Sequence, residues 1–343
     1  MGLLRKSSTG RKIHAGDTMR KPIALACSDL HFHDWPQFNE DQKRLKVAAS
    51  FLSAITFSAE QMQVPILFPG DLFQNPKGVN NEVYDFFNPL FRKLDDRNKV
   101  HIYGVGGNHD MSEKNTKEKR SPSLFLGACK AFPNLFKSVE FSRVETKRIN
   151  IMGIPYITHN VGFAELVEEA KEGIREGFPN ILLVHCDLWG AKDPSGRETN
   201  TVENIPRNLG KFFRGFDLVL AGHIHQHAKL WDGVYMVGAP YQQRKSDMGC
   251  KMGYLIVYDD LSIEFKRYPA PEFKTYNREE GHPDTHDYWI PIDLPKKREK
   301  QVEGGFSAKA SKKSLAKQYL RAMGIDNPSK ANALINILQK TDD

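Results

Sequence analysis

The most informative segment of the sequence is FDLVLAGHIH, residues 216–225, where a short apolar run leads into a glycine and two histidines. The apolar part predicts a buried strand over residues 216–220, so the polar residues come where that strand should end. The same arrangement occurs at other apolar runs, which are followed by Ser28-Asp29-Leu30-His31, Gly70-Asp71, Gly107-Asn108-His109-Asp110 and Val184-His185.

Between Ile23 and about Tyr268, short β-branched runs alternate with amphipathic helical stretches, which predicts an α/β fold with helices covering a sheet. The predicted strands of this part are 23–27, 64–68, 100–105, 149–154, 181–184 and 216–220, and the predicted helices are 39–60, 80–94 and 162–175. Four short strands without intervening helices, 228–231, 234–237, 254–258 and 262–268, predict an antiparallel section at the end. Because the carboxyl ends of strands form the ligand-binding crevice of open α/β sheets, we expect the five polar motifs to converge there.

The residue types in these motifs suit a site for two divalent cations, because oxygen and imidazole donors bind manganese, iron or zinc. We expect Mn²⁺, with Mg²⁺, Fe²⁺ and Zn²⁺ as the alternatives. Asp71 would bridge the two ions. The complete set of predicted ligands is Asp29, His31 and His225 for one ion, Asn108, His185 and His223 for the other, and Asp71 for both. With only two carboxylates in this set, the site should carry excess positive charge for an anionic substrate.

The five motifs, in this order, resemble those of the calcineurin-like metallophosphoesterase superfamily, D-x-H, G-D, G-N-H-D, H and G-H-x-H. The resemblance implies a four-layer sandwich of two mixed β-sheets flanked by helices, and the ligand assignment just given. It also implies that His109 is a catalytic non-ligand beside the scissile phosphate, oriented by Asp110. A hydroxide bridging the two ions would attack phosphorus in line with the leaving group.

Within the superfamily, the chain resembles the Mre11/SbcD-type repair and recombination nucleases, including their phage versions. The resemblance rests on residues 216–225, on Val237-Gly238-Ala239-Pro240-Tyr241 and on Lys251-Met252-Gly253-Tyr254-Leu255. It implies a Mn²⁺-dependent DNA exonuclease and endonuclease in repair, recombination or replication, with a Rad50/SbcC-like SMC-family ATPase and a second copy of the chain as partners. One departure is Gln74, where many of these nucleases carry a second non-ligand histidine.

Two other functions are compatible with the same motifs. A phosphomonoesterase or cyclic-nucleotide phosphodiesterase of the superfamily would use the same ligands on a smaller substrate. A non-catalytic scaffold would keep only the fold, although an intact ligand set argues against this interpretation. Comparing hydrolysis of DNA with hydrolysis of small phosphoesters distinguishes a nuclease from the first alternative. Measuring activity after substitution of Asp71 or His109 distinguishes an enzyme from the second.

Composition adds constraints on location and organisation. The net charge of +7 permits a polyanionic partner but is also ordinary for a chain of 343 residues. The apolar runs are too short for a membrane span, and the four cysteines lie far apart, so we expect a cytoplasmic protein, in the host cytoplasm if it is phage-encoded. The predicted organisation is a basic tail (1–20), a catalytic domain (21–268), an extended arm or linker (269–305) and a small helical tail (306–343) that could dock a partner.

Overall fold

The computed structural model describes residues 20–35, 40–111, 123–157, 161–193, 196–198, 207–277 and 286–292. All of these belong to one compact unit, Met1–Ile292. The predicted helical tail and the basic run Lys296–Lys300 lie outside the described residues, so the predictions made for them stay predictions. No helix in the described ranges is long and apolar enough to cross a membrane.

The first of two large sheets carries the amino-terminal motifs. In spatial order its six strands are β12 (Ile263–Arg267), β11 (Gly253–Tyr258), β1 (Pro22–Ala26), β2 (Ile66–Phe68), β3 (Ile102–Gly104) and β4 (Phe136–Ser138). The strands β1 to β4 are parallel to one another, whereas β11 is antiparallel to both β1 and β12. The carboxyl ends of β1, β2 and β3 therefore point to the same edge of this sheet.

The second sheet carries the remaining motifs. Its six strands are, in spatial order, β5 (Arg143–Glu145), β6 (Asn150–Ile154), β7 (Asn180–His185), β8 (Leu218–Gly222), β10 (Val234–Met236) and β9 (Ala228–Trp231). The four central strands are parallel, and β5 and β9 are antiparallel edge strands. Both sheets are therefore mixed, as predicted.

Helices cover the outer face of each sheet. The first sheet packs against α1 (Lys43–Met62), α2 (Asn81–Arg97) and α3 (Leu124–Ala131). The second sheet packs against α4 (Val161–Lys171) and α5 (Leu209–Phe212). Alternate residues of a strand face opposite sides of its sheet. In β1, Leu25 packs toward the helices while Ala24 and Ala26 pack toward the other sheet. The predicted four-layer α/β sandwich is confirmed.

The predicted antiparallel section is divided between the two sheets. The strands β9 and β10 extend the second sheet, where β10 pairs in parallel with β8, and only β11 and β12 form an antiparallel hairpin on the first. The predicted arm contains a further parallel pair, β13 (Phe273–Asn277) and β14 (Tyr288–Ile292), that the sequence did not predict.

Candidate metal centre

The five polar motifs meet in a crevice at the carboxyl ends of strands from both sheets. The last residue of β7 and the loops that follow β1, β2, β3 and β8 supply the predicted ligands. These form one network of short contacts and are Asp29, His31, Asp71, Asn108, His185, His223 and His225. Some of these contacts join residues 194 positions apart in the sequence. The structure thus brings together every side chain that the sequence predicted as a metal ligand.

Asp29, His31 and His225 form what we call the first cluster, and one ligand atom of each lies within 4.8 Å of the other two. Nε2 of His31 is 3.2 Å from Nε2 of His225 and 3.8 Å from Oδ1 of Asp29. All three side chains are buried. Two imidazole nitrogens can approach this closely only if a proton or a cation lies between their lone pairs. The first cluster can therefore hold one cation.

Asn108, His185 and His223 form the second cluster. Oδ1 of Asn108 lies 3.0 Å from Nε2 of His185 and 2.8 Å from Nδ1 of His223. The other ring nitrogen of His185, Nδ1, is 2.7 Å from the carbonyl oxygen of Pro69. Because Nδ1 donates its proton to that carbonyl, Nε2 is left with a lone pair directed into the crevice. The second cluster therefore offers imidazole nitrogen and amide oxygen to a second cation.

Asp71 lies between the two clusters, as predicted for a bridging ligand. Its Oδ2 is 3.5 Å from Nε2 of His31 in the first cluster and 3.4 Å from Nε2 of His185 in the second. Its Oδ1 accepts a hydrogen bond of 2.8 Å from the backbone N–H of His109. One carboxylate thus faces both clusters while its second oxygen fixes the loop that follows β3.

Three glycines beside the ligands are needed for different reasons. Gly70 has a φ of +104°, so it makes a tight turn directly before Asp71. A Cβ at Gly107 would lie 2.1 Å from Oδ1 of Asp71, and a Cβ at Gly222 would lie 2.2 Å from a backbone oxygen of the loop after β2. At these two positions glycine permits close approach of the loops.

Four of the ligands have left-handed backbone conformations. The φ angles are 56° for Asp29, 45° for His31, 60° for Asp71 and 95° for His223. Such conformations cost of order 1–3 kcal/mol each for residues other than glycine, and they concentrate at functional sites. The surrounding fold therefore holds these side chains in the crevice against a local preference.

The charges in the crevice favour bound cations. Burial opposes ionisation of Asp29 and Asp71, but the neighbouring imidazoles outweigh it and hold the pKa of both carboxyls below its usual range. Burial also opposes a charge on His185, yet Asp71 raises its pKa to about 9. The buried carboxylates thus attract positive charge, and cations bound by this donor set would displace the protons of the imidazoles. The oxygen and imidazole donors fit two divalent ions.

Asp247 holds His225 in place and was not predicted from the sequence. Its Oδ2 is 2.9 Å from Nδ1 of His225 and also accepts the backbone N–H of Gln243 at 2.8 Å. Burial opposes a charge on His225, but Asp247 outweighs it and raises the pKa of the ring. A carboxylate behind a metal-binding histidine fixes the ring and makes it a stronger ligand. Asp247 lies in a loop without a recognisable motif, so only the fold reveals this contact.

Asp187 has a similar position behind the second cluster. Its Oδ1 lies 3.4 Å from Nε2 of His223, and burial raises the pKa of this carboxyl to about 6. The sequence-based count of charge included only Asp29 and Asp71. Because Asp187 and Asp247 add two carboxylates near the ligands, the excess positive charge expected for the loaded site is smaller than predicted.

We expect Asp247→Asn to weaken cation binding at the first cluster by about 10–100-fold, which is the usual effect of losing the partner of a ligating histidine. Isothermal titration calorimetry of the purified chain with Mn²⁺ measures the affinity for each cation. The matched control is Asp232→Asn, because Asp232 is an exposed carboxylate paired with Lys229 on the surface. Equal affinity in Asp247→Asn and Asp232→Asn would show that Asp247 does not support the site.

His109 adjoins the first cluster without belonging to it. Its ring centroid is 4.8 Å from that of His31, and its Nδ1 is 2.9 Å from the carbonyl oxygen of Gln74. The side-chain amide nitrogen of Gln74 is also 2.9 Å from this Nδ1. Donation from Nδ1 to the carbonyl leaves Nε2 as the nitrogen that can exchange a proton with a substrate.

Asp110 does not orient His109, which corrects the expectation drawn from the resemblance. Its fully buried carboxylate accepts backbone N–H bonds from Gly107 at 2.9 Å, Phe73 at 2.9 Å and Leu72 at 3.2 Å. These three bonds occupy the carboxylate and join the loops that follow β2 and β3. Asp110 therefore shapes the crevice, and Gln74 positions the ring of His109.

Comparison with known proteins gives one family match and two more distant similarities. A family model described as calcineurin-like phosphoesterase matches residues 24–227, which is more than half of the chain. The DNA double-strand break repair protein Mre11 of Methanococcus maripaludis is 27% identical over 194 residues, covering 56% of this chain and 49% of that protein. The chain thus spans about half the length of this relative. A dimetal phosphatase from Danio rerio has a TM-score of 0.44 and 9% identity, covering 69% of this chain and 93% of the phosphatase.

Proposed function

The chain belongs to the calcineurin-like phosphoesterase family, and from this premise we propose that it is a DNA nuclease acting in repair, recombination or replication. The observation that carries the hydrolytic part of the proposal is the convergence of six predicted ligand side chains around a seventh, Asp71. His109 lies beside them, within ligand distance of His31 and Asp71, and we propose that it acts on the substrate and not as a ligand. A scaffold would have no need of this arrangement. We further propose Mn²⁺ as the cation, because it accepts both the oxygen and the imidazole ligands present here.

Two divalent cations, when bound, activate water for attack on phosphorus and offset charge on the phosphate oxygens. The two clusters would hold these ions, with Asp71 shared between them. The contact of Asp71 with the backbone of His109 keeps His109 at a fixed place relative to both clusters. His109 would give a proton from Nε2 to the leaving oxygen, and its Nδ1–H bond to Gln74 stabilises the charged ring before that transfer.

The DNA part of the proposal is supported by the sequence similarity to Mre11 and by the net charge of +7, which suits a polyanionic substrate. A Rad50/SbcC-like ATPase and a second copy of the chain remain proposed partners on the basis of the resemblance in sequence. Cytoplasmic location and the four-part domain organisation likewise remain predictions.

The proposal is tested by incubating the purified full chain with Mn²⁺ and either linear duplex or single-stranded DNA. Parallel reactions contain p-nitrophenyl phosphate as a monoester, a cyclic nucleotide, and bis-p-nitrophenyl phosphate as an activated diester. We expect degradation of DNA that is lost on chelation and restored by Mn²⁺. The Asp71→Asn variant controls for contaminating nucleases.

Two results would contradict the nuclease assignment in different ways. Efficient turnover of the monoester or the cyclic nucleotide, with DNA left intact, would identify a phosphoesterase for small substrates. Absence of hydrolysis of all substrates by a chain that retains two cations would support a non-catalytic scaffold.

A further inference from the structure

The strand pair β13–β14 lies against α1 close to the first cluster. We propose that Arg44 of α1 is a positioning residue that connects this strand pair to the first cluster and raises the affinity of that cluster for its cation. The inference rests on the proposed function, because it requires cations in the crevice. In this proposal, β13 and β14 support the first cluster through Arg44.

Contacts between α1 and the strand pair surround two basic side chains. Nζ of Lys43 donates to the carbonyl oxygen of Asp287 at 3.0 Å and lies 4.8 Å from the ring centroid of Tyr288. The guanidinium of Arg44 lies 5.5 Å from the ring centroid of Tyr288 and 5.9 Å from that of Phe273. A cation is attracted to the faces of aromatic rings at these distances, most strongly where water is excluded. The rings of β13 and β14 thus hold Arg44 in place.

Arg44 also contacts the loop that follows Tyr241. It is only 7% exposed, and its guanidinium donates to the carbonyl oxygen of Gln243. The adjacent residue, Gln242, accepts the backbone N–H of Phe273 at 2.5 Å through its Oε1. Residues 242–243 are therefore held from two sides, by α1 and by β13.

Gln243 then transmits this restraint to the first cluster. Its side-chain amide donates to the carbonyl oxygens of Asp29 at 3.3 Å and Leu30 at 3.2 Å. Its backbone N–H donates to Oδ2 of Asp247 at 2.8 Å, and the same oxygen lies 2.9 Å from Nδ1 of His225. Arg44 is thus connected through Gln243 to two of the three residues of the first cluster. The side chains of the second cluster contact different groups, the carbonyl of Pro69 and the carboxylate of Asp187. The two clusters are joined where the backbone N–H of His223 donates to the carboxylate of Asp29.

Arginine suits this position better than lysine. Its planar guanidinium can donate to a carbonyl in its own plane while its faces contact aromatic rings, whereas an ammonium group offers no such face. We therefore expect Arg44→Lys to restore only part of the effect that Arg44→Met removes. Methionine keeps the apolar stem that fills the space beside the rings but lacks the donor and the charge.

The test is calorimetric titration of the full chain with Mn²⁺. In Arg44→Met we expect affinity at the first cluster to fall about tenfold, near the lower limit for groups that act through a ligand, with Arg44→Lys intermediate. Affinity at the second cluster should stay within about twofold, because the side chains of its three ligands do not contact Arg44, Gln243 or Asp247. The matched control is Arg92→Met, since Arg92 of α2 also lies over a phenyl ring, that of Phe132, at 6.0 Å.

Double-mutant cycles assign the loss to one cluster. The double variant Arg44→Met/Asp247→Asn should lose less binding free energy for Mn²⁺ than the sum of the losses in the two single variants, because both changes act on the first cluster. When Arg44→Met is combined with Asp187→Asn, which acts on the second cluster, the losses should add. Additive losses of binding free energy in both cycles would overturn the proposed role of Arg44. So would equal losses of affinity at both clusters that scale with the drop in melting temperature.

Tyr288→Leu provides a second variant in case Arg44→Met does not fold. It removes one ring that holds the guanidinium but leaves Arg44 itself, so we expect a smaller loss, again confined to the first cluster. Unchanged affinity in this folded variant would contradict the inference. A wild-type chain that binds no Mn²⁺ would instead contradict the proposed function, so the two failures can be told apart.

Discussion

Asp71→Asn is expected to lower phosphodiester hydrolysis by more than about a hundredfold, because losing a direct ligand should exceed the 10–100-fold effect of losing an outer partner. The substitution removes the charge that faces both clusters while keeping an oxygen that can accept the N–H of His109. The fold should therefore persist while affinity for both cations falls. Hydrolysis of bis-p-nitrophenyl phosphate and titration with Mn²⁺ measure the two effects.

The comparison with Asp247→Asn makes this prediction specific. Asp247 contacts only His225 of the first cluster, so its substitution should lower the affinity for one ion. Loss of the Asp71 charge should lower the affinity for both ions. An Asp71→Asn variant that still binds two ions with wild-type affinity would show that Asp71 is not shared between them.

His109→Ala should lower hydrolysis of DNA by about 10²–10⁴-fold, the usual contribution of a general acid. Its effect on bis-p-nitrophenyl phosphate should be much smaller, because nitrophenolate leaves without needing a proton. Affinity for Mn²⁺ should remain at the wild-type value, since His109 is not assigned as a ligand. Rate measurements on the two substrates, with a parallel titration, check each part.

Gln74→Ala is the companion variant for this prediction. The backbone carbonyl oxygen of Gln74, which alanine retains, accepts Nδ1–H of His109. The side-chain amide of Gln74, which alanine lacks, only contacts the ring, at 2.9 Å from the same nitrogen. We therefore expect a smaller loss than in His109→Ala, again greater on DNA than on the activated diester. Loss of one bound ion in His109→Ala would mean that His109 is itself a ligand, contrary to the assignment made here.

The parts of the site that the sequence predicted are those that follow apolar strands directly. Asp29, Asp71 and His185 each come within a few residues of the end of a parallel strand, so the direction of the strand alone places them at the crevice. All seven predicted ligands lie at or after the ends of strands in this way, so their place at the crevice does not depend on how the two sheets face each other. It depends only on alternation and on chain direction, which are local properties of the sequence.

The contacts that support the ligands depend on pairing between distant segments. Asp247 belongs to a loop between β10 and β11, and its position against His225 follows from β10 joining one sheet and β11 the other. Asp110 gave a wrong expectation for a related reason. The resemblance implied that it orients His109, but a tight turn directs its carboxylate toward backbone amides of the loops after β2 and β3.

Some element boundaries and strands were also not predicted correctly from the sequence. The first helix was expected from Asn39 but α1 begins at Lys43, because Asp41 and Gln42 have φ angles of 51° and 57°. The three-residue strands β4 and β5 are too short to show a periodic pattern. The pair β13–β14 was missed because its strands are parallel, so no hairpin turn between them marks the pairing in the sequence.

Anomalous diffraction at the manganese edge, from crystals of the full chain soaked in Mn²⁺, tests the central claim most directly. We predict two peaks about 3.5–4 Å apart, the spacing typical of two-metal sites. One should be surrounded by the first cluster, the other by the second cluster, and both should contact Asp71. A single peak, or two peaks away from Asp71, would contradict the assignment of a two-metal phosphoesterase centre to this crevice.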